Sequence, residues 1–336
     1  MDERVPDLVE CVPNFSEGRN RSVIDSIADA IESVEGVRVL HVDSGESANR
    51  TVVTFAGEPV AVEEAAYLGI ARAADAIDMR IHSGTHPRFG ATDVCPFVPV
   101  GDTSMDDCIA IAERVGVRVG QELAIPVYLY AEAARNEGRR SLSVIRRGEY
   151  EGLADRIQQT EFAPDCGPSA FNAKSGATAI GARRFLIAWN VNLDTKDVSA
   201  ALEIARRLRT SGGRDESGER VPGRFRGLQG GGWYLDEFER VQVTFNILDY
   251  QTTPIANVFE ACKEEAESLG VRVTGSELVG LSPKEALVAA GQYYSSDEAE
   301  DDMSLIQAAV ESLGLGELNP FDPARRVLEL VYERLR

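Results

Sequence analysis

Groups that titrate near neutral pH are almost missing from this 336-residue chain, which has three histidines. Lysine is equally scarce: Lys174, Lys196, Lys263 and Lys284 are the whole set, so nearly all the basic charge is arginine. No run of about 18 apolar residues occurs, so no membrane-spanning helix is expected. The N-terminal MDERVPDLVE opens on acids and lacks the basic-then-apolar order of a secretion signal. Cys11, Cys95, Cys108, Cys166 and Cys262 are odd in number, scattered, and form no C-x-x-C pair. That spacing indicates neither a disulfide framework nor a zinc ribbon. Ser-x-x-Lys and Gly-x-Ser-x-Gly motifs are also missing, so no serine nucleophile is supported. A cytoplasmic location follows by default.

Acid dominates what is present: 55 acidic against 35 basic side chains, a net charge of −20. Such a surface repels phosphate backbones and anionic headgroups, so nucleic acid and membrane are poor partners. An acidic, lysine-poor composition fits either an arginine-preferring codon usage or a high-salt cytoplasm. The length suggests about two domains, and 43% hydrophobic content is ordinary for a folded protein.

The first half reads as strand (Leu8–Pro13), helix capped by Asn20 or Ser22, strand (Val37–Asp43), strand (Arg50–Phe55), helix (Ala61–Ala76) and apolar strand (Val94–Val100). The second half repeats this order. A strand at Arg184–Leu193 leads to a helix capped by Asp194 or Thr195. Strands at Phe225–Leu235 and Val241–Leu248, a helix after Pro254 and a strand at Val271–Leu281 complete it. Thr210–Gly223 reads as a glycine-rich loop. Twice β-α-β-β-α-β predicts an α+β fold of two ferredoxin-like units, residues 1–181 and 182–336. Between the repeats lie a helix (Met105–Leu123), a strand (Ile125–Tyr130) and a connector with Arg135, Arg139, Arg140, Arg146, Arg147 and Arg156.

Chemistry concentrates between Ile77 and Val100, where His82 and His86 stand with Arg80, Arg88 and Asp93. An imidazole, with a pKa of roughly 6.5, both gives and takes protons at physiological pH. Beside a cation and a carboxylate it points to proton transfer. The four-residue spacing of the histidines would suit a metal on a helix, but Gly84 separates them and Pro87 follows His86. Loop histidines satisfied by hydrogen bonds are the plainer alternative. A second candidate is the loop from Asp165 to Gly176, whose small residues let backbone amides approach a planar or anionic ligand. Gly227–Gly232 opens no helix and reads as a strand bend or a close backbone approach.

VECVPNFSEGRN (Val9–Asn20), VDSG (Val42–Gly45), NRTVVTF (Asn49–Phe55), the HPRFGATDVCPFVPV run and PVYLYAEAAR (Pro126–Arg135) resemble glutamate formimidoyltransferase. RRGEYEGL (Arg146–Leu153), GPSAF (Gly167–Phe171), GARRFLIAWNVNL (Gly181–Leu193) and GSELVGL (Gly275–Leu281) carry the likeness across nearly the whole chain. Thr85 departs from the glutamate common before the histidine of that family's HPR motif. The resemblance implies two ferredoxin-like subdomains with a substrate groove between them. It also implies transfer of a formimino group from N-formimino-L-glutamate to N5 of tetrahydrofolate, in histidine breakdown.

Carried over by motif, the catalytic histidine is His86 and the VDSG aspartate is Asp43. The folate loop is Gly167, Pro168, Ser169, Ala170 and Phe171, through Lys174 to Gly176. Asp43, then Asp93, is expected to orient the cationic amidine and hold the imidazole tautomer, with His82 as helper. Arg50, Arg88 and the connector arginines suit the glutamate carboxylates. Phe171 or Trp189 would wall the pterin. Tetrahydrofolate, with or without a polyglutamate tail, enters as co-substrate, with no metal. A homodimer is expected. Because the chain ends at Arg336, so is a separate cyclodeaminase. Two rivals stand beside this reading: a metal-dependent formiminoglutamate hydrolase using His82, His86 and Asp93, and a non-catalytic folate or amino-acid sensor.

Overall fold

In the computed structural model, which describes residues 8–46, 48–84, 86–214, 217–235, 238–295 and 301–335, the chain divides after Arg184 into two units. The secretion-signal reading rests on residues 1–7, and Thr85 is a single position; both lie outside the described residues.

In the first unit, β1 (Leu8–Cys11) and β2 (Asn14–Phe15) are separated at Val12–Pro13, where proline has no N–H for a ladder. Helix α1 (Arg21–Glu32) begins at Asn20, whose side chain accepts from the amides of Ser22 and Val23. It buries Ile24, Ile27 and Ile31. Gly36, at φ 85°, turns the chain into β3 (Val37–Gly45), which pairs with β4 (Arg50–Gly57). Helix α2 (Pro59–Ala76) starts on a proline, where a missing N–H costs nothing. There follow β5 (Thr92–Val100), α3 (Met105–Glu122), β6 (Val127–Ala131), the short α4 (Leu142–Ile145) and α5 (Leu153–Arg156), and β7 (Thr178–Ala182).

These strands form a seven-stranded sheet in the order β1-β4-β2-β5-β7-β6, with β3 paired to β4. Pairing is antiparallel except at β5–β7 and β6–β7, which are parallel. Parallel strands need a crossover, and α3 supplies it between β5 and β6. β7 lies outside every predicted strand and slots between β5 and β6.

The two-residue side-chain period sorts the sheet into two faces. Val53, Phe55, Cys95, Phe97 and Ile180 pack with Ile27, Ile31, Ile70 and Ile111 from the helices. On the opposite face, Val94, Tyr128, Tyr130 and Ala179 meet Ile145, Leu153 and Phe162 of the connector. The basic connector, with the short α4 and α5, therefore roofs part of this second face, which no long helix covers, pinned by Arg139 to Asp165 at 2.6 Å. Being buried on both sides explains why β5 reads as an almost unbroken apolar run.

The second unit runs β8 (Ile187–Leu193), α6 (Val198–Leu208), β9 (Gly213–Arg214), β10 (Arg220–Val221), β11 (Leu228–Leu235), β12 (Arg240–Ile247), α7 (Ile255–Ser268) and β13 (Val273–Val279). Helices α8 (Lys284–Tyr294), α9 (Asp302–Ser312), α10 (Pro323–Arg326) and α11 (Leu328–Leu335) complete it. Its main sheet is antiparallel, in the order β11-β12-β8-β13.

Three local expectations are corrected here. Asp197, not Asp194 or Thr195, caps α6 by accepting from the Ser199 amide; Asp194 instead accepts from the Arg272 amide. The 210–223 excursion contains the two-residue ladder β9–β10. Trp189 is fully buried against Phe245 and Phe259, so it forms core and no ligand wall. Gly232 is a close approach: a Cβ there would lie 2.7 Å from the Ala201 Cβ on α6.

Candidate active site

After α2 the chain cannot continue helically, and it crosses to β5 through the histidine segment. Asp78 folds back on Arg80, accepting from its Nε at 2.8 Å, and those hydrogen bonds pull the Asp78 carboxyl down to about 2. The segment is anchored from both ends. The Met79 amide donates to the Lys174 carbonyl at 2.8 Å, and the Ala91 amide to the Ser175 carbonyl at 2.8 Å. A Cβ on Gly90 would sit 1.9 Å from the Ala177 carbonyl oxygen, and one on Gly84 2.2 Å from that of Ala48. Only glycine fits at either place.

Asn49 is the hub on the other side. Held at φ 48°, it accepts from the Gly18 amide through Oδ1 and donates from Nδ2 to the Ser83 carbonyl, both at 2.9 Å. Its own carbonyl accepts from His82 Nε2 at 2.9 Å. Arg88 Nε donates to His82 Nδ1 at 3.3 Å. Both ring nitrogens of His82 are thus engaged by protein groups, the arrangement of a positioned loop histidine. Burial, and then Arg88, lower its pKa below the ordinary 6.5.

His86 is half-buried and differently held. Its Nδ1 lies 2.7 Å from the Pro87 carbonyl oxygen. A carbonyl can only accept, so Nδ1 carries the proton and, in the neutral ring, Nε2 keeps the basic lone pair. The group fixing the tautomer is therefore a backbone carbonyl, where a carboxylate had been expected. Burial and the nearby Arg50 cation hold His86 below 6.5, with Arg146 adding to the effect and Asp93 opposing it.

Asp93, at 0% exposure, is the centre of a charged cluster. Its Oδ2 accepts from Arg50 Nη1 at 2.6 Å and Arg146 Nη2 at 2.7 Å, and its Oδ1 from the Phe89 amide at 3.1 Å. Arg50 also donates from Nε to Asn14 Oδ1 at 3.1 Å. The β2–β4 register places Asn14 opposite Val52, and the β3–β4 register places Asp43 opposite Val52 as well. Asp43 is exposed near the end of β3, on the same second face of the sheet as Arg50 and Asn14.

The other arginine of the motif is committed. Arg88 donates to both oxygens of Glu151, at 2.8 and 2.6 Å, and to Glu149 at 3.2 Å. Those carboxylates raise its pKa. Within the glycine loop, Gly167 (φ 81°) and Gly176 (φ 68°) adopt the left-handed backbone that glycine tolerates. Ser169 and Ala170 are exposed, and Pro168 is half-buried. Phe171 is half-buried and meets Tyr150 at 5.4 Å between ring centroids. Lys174 is exposed, with its ammonium 2.9 Å from the Asp75 carbonyl at the C-terminal end of α2. Gly176 bridges to Gly90, so loop and histidine segment form one construction.

Sequence reasoning gave no role to Asn49 or Glu151, and named Arg146 only as one of the connector arginines suited to substrate carboxylates. Asn49 carried a signal, since asparagine favours left-handed turns. Glu151 sits in RRGEYEGL, whose resemblance was noted without assigning that side chain. Among the described residues no three His, Cys, Asp or Glu side chains stand where they could share a metal ion. No helix among them is long and apolar enough to cross a membrane.

Comparison with known proteins follows this geometry. Residues 8–183 match the formiminotransferase domain, N-terminal subdomain, and residues 188–333 match the formiminotransferase domain. Formimidoyltransferase-cyclodeaminase of Rattus norvegicus is 48% identical over 96% of the chain, which spans 59% of that protein's length. Glutamate formimidoyltransferase of Thermoplasma acidophilum is 42% identical over 90% of this chain and 97% of its own. The Streptococcus pyogenes protein of the same name is 39% identical over 88% of this chain and 95% of its own. The chain belongs to the formiminotransferase family.

Proposed function

We propose that the chain is a glutamate formimidoyltransferase, moving the formimino group of N-formimino-L-glutamate to N5 of tetrahydrofolate and releasing glutamate. The observation that carries this reading is the His86 ring: Nδ1 fixed on the Pro87 carbonyl, Nε2 left as a base, and the ring held below 6.5. Relatives named for this activity align over nearly their whole length.

In the proposed reaction the N5 lone pair attacks the amidine carbon, forming a C–N bond, and the proton on N5 passes to His86 Nε2. The tetrahedral intermediate then breaks its bond to the glutamate nitrogen, which takes the proton back from the same imidazole. A positioned acid-base group of this kind typically contributes about 10²–10⁴-fold. Asp43 is proposed to face the cationic amidine. Arg50 supplies positive potential for substrate carboxylates, buttressed by Asp93, while Arg88 and His82 stiffen the loop. Gly167–Gly176 is the proposed folate loop, with Phe171 as an apolar wall and Lys174 beside it.

The element order β8-α6-β11-β12-α7-β13 with strands ordered β11-β12-β8-β13 supports a ferredoxin-like reading of the second subdomain. Subdomains at 1–181 and 182–336 and a cytoplasmic homodimer belong to the same proposal. The test mixes the purified chain with formiminoglutamate and tetrahydrofolate and follows free glutamate. Release that depends on folate is expected. Release without folate would point to hydrolysis, and binding without release to a sensor.

A further inference from the structure

The Asp93 cluster does not balance its charge. One buried carboxylate meets two guanidiniums, Arg50 at 2.6 Å and Arg146 at 2.7 Å. Arg50 turns its remaining Nε to Asn14. Arg146 differs: its Nε is buried and has no hydrogen-bond partner among the described residues. An unpaired donor on a buried cation is among the costlier features a protein can hold, and it calls for a group that completes it. The surplus positive charge is the more telling because the chain as a whole carries −20. Arg88, the other cation of the motif, has its fork already filled by Glu151.

We propose that Arg146 is a specificity-determining residue that receives one carboxylate of the amino-acid donor, giving two guanidiniums and two carboxylates beside His86. This rests on the transferase reading above and names the group that selects its donor. The ligand class is an amino dicarboxylic acid, because formiminoglutamate entering and glutamate leaving present the same carboxylates. The connector thus does more than join strands: it brings a guanidinium from the turn after α4 down onto β5, where the sheet's second face ends at the histidine segment.

Calorimetric titration of the full wild-type chain with L-glutamate, L-glutamine and L-isoglutamine reads this site without catalysis. Each amide replaces one carboxylate by a neutral group of nearly the same shape. One of the two should bind at least about tenfold more weakly than glutamate, the value of a charge-assisted pair. Arg146→Gln should lose glutamate affinity by a similar factor and change affinity for that amide by less than about twofold. Arg146→Lys, which keeps the charge without the fork, should recover part of the loss. In turnover, Arg146→Gln should raise the KM for formiminoglutamate about tenfold and leave that for tetrahydrofolate within about twofold. Equal affinity for glutamate and both amides, absent glutamate binding, or equal rises in both KM values would overturn the assignment. Charge-dependent glutamate binding by a chain that transfers nothing would count against the transferase reading and leave the carboxylate site standing.

Discussion

The two units build the sheet faces away from their long helices from different materials. In the first, that face carries buried charge: Asp93 between Arg50 and Arg146, next to His86. In the second it carries a chain of carboxamides that ends on the Glu317 carboxylate. Trp233 Nε1 donates to Gln242, Gln242 to Asn192, and Asn192 to Glu317, each at 2.8 Å. Asn192 and Gln242 are both at 0% exposure. All three histidines, His41, His82 and His86, lie in the first unit. The imidazoles are confined to one unit, while the other presents carboxamides bonded to the Glu317 and Glu277 carboxylates. The carboxamide chain closes on the Glu317–Arg240 ion pair, whereas the Asp93 cluster stays poised for a ligand to complete it.

The sharpest way to break that contrast is to remove the central charge. Asp93→Asn leaves two buried guanidiniums without a counter-ion and should cost about 3–5 kcal/mol in a urea titration, enough to threaten folding. A loss below about 1 kcal/mol would mean the cluster is far better solvated than its burial implies. Steric tests come next. Gly90→Ala drives a Cβ to within 1.9 Å of a carbonyl oxygen, whereas Gly231→Ala meets nothing nearer than the Thr244 hydroxyl at 3.5 Å. The first should destabilise by about 1–3 kcal/mol or more, the second by less than about 0.5 kcal/mol. Similar losses would show that the histidine segment tolerates movement.

In the second unit, Gln242→Leu orphans an indole N–H and the Asn192 carboxamide oxygen, removes a donor to Glu277, and should cost about 1–3 kcal/mol. A loss below about 0.5 kcal/mol in a urea titration would mean that water takes over those partners. The smallest effect expected is on affinity: Lys174→Ala should raise the tetrahydrofolate KM by a few-fold and lower kcat less. Equal losses in both would argue against a folate contact.

Much of this architecture was legible because the signals were local. Asn20 before an Ile24–Ile27–Ile31 stripe announced α1, and the apolar run after Asp93 announced a strand buried on both faces. The misses have a different physical origin. TAIGA (Thr178–Ala182) has too few large side chains to look like a strand; it is one because β5 and β6 flank it. Trp189 looked like a ligand wall because aromatic residues suit pterins, but its strand position faces the core. At the site, His86 and its tautomer-fixing proline were visible as neighbours. The Arg146–Asp93 contact spans 53 residues and depends on how the connector folds over the sheet. The commitment of Arg88 to Glu151 is likewise tertiary. Sequence spacing marks which groups can react; which of them are already occupied is decided by packing.

The proton shuttle at His86 is tested most directly by the pH dependence of kcat/KM for wild type alongside His86→Asn. In the wild type the base must be unprotonated, and burial with the Arg50 and Arg146 cations holds its pKa below 6.5. Activity should therefore persist as pH falls to 6.5 and decline only below it, through a single protonation. His86→Asn, in a chain that still folds, should lose about 10²–10⁴-fold in turnover and that acid limb with it. Near-wild-type turnover in the variant, or an acid limb that survives the substitution unchanged, would contradict the account.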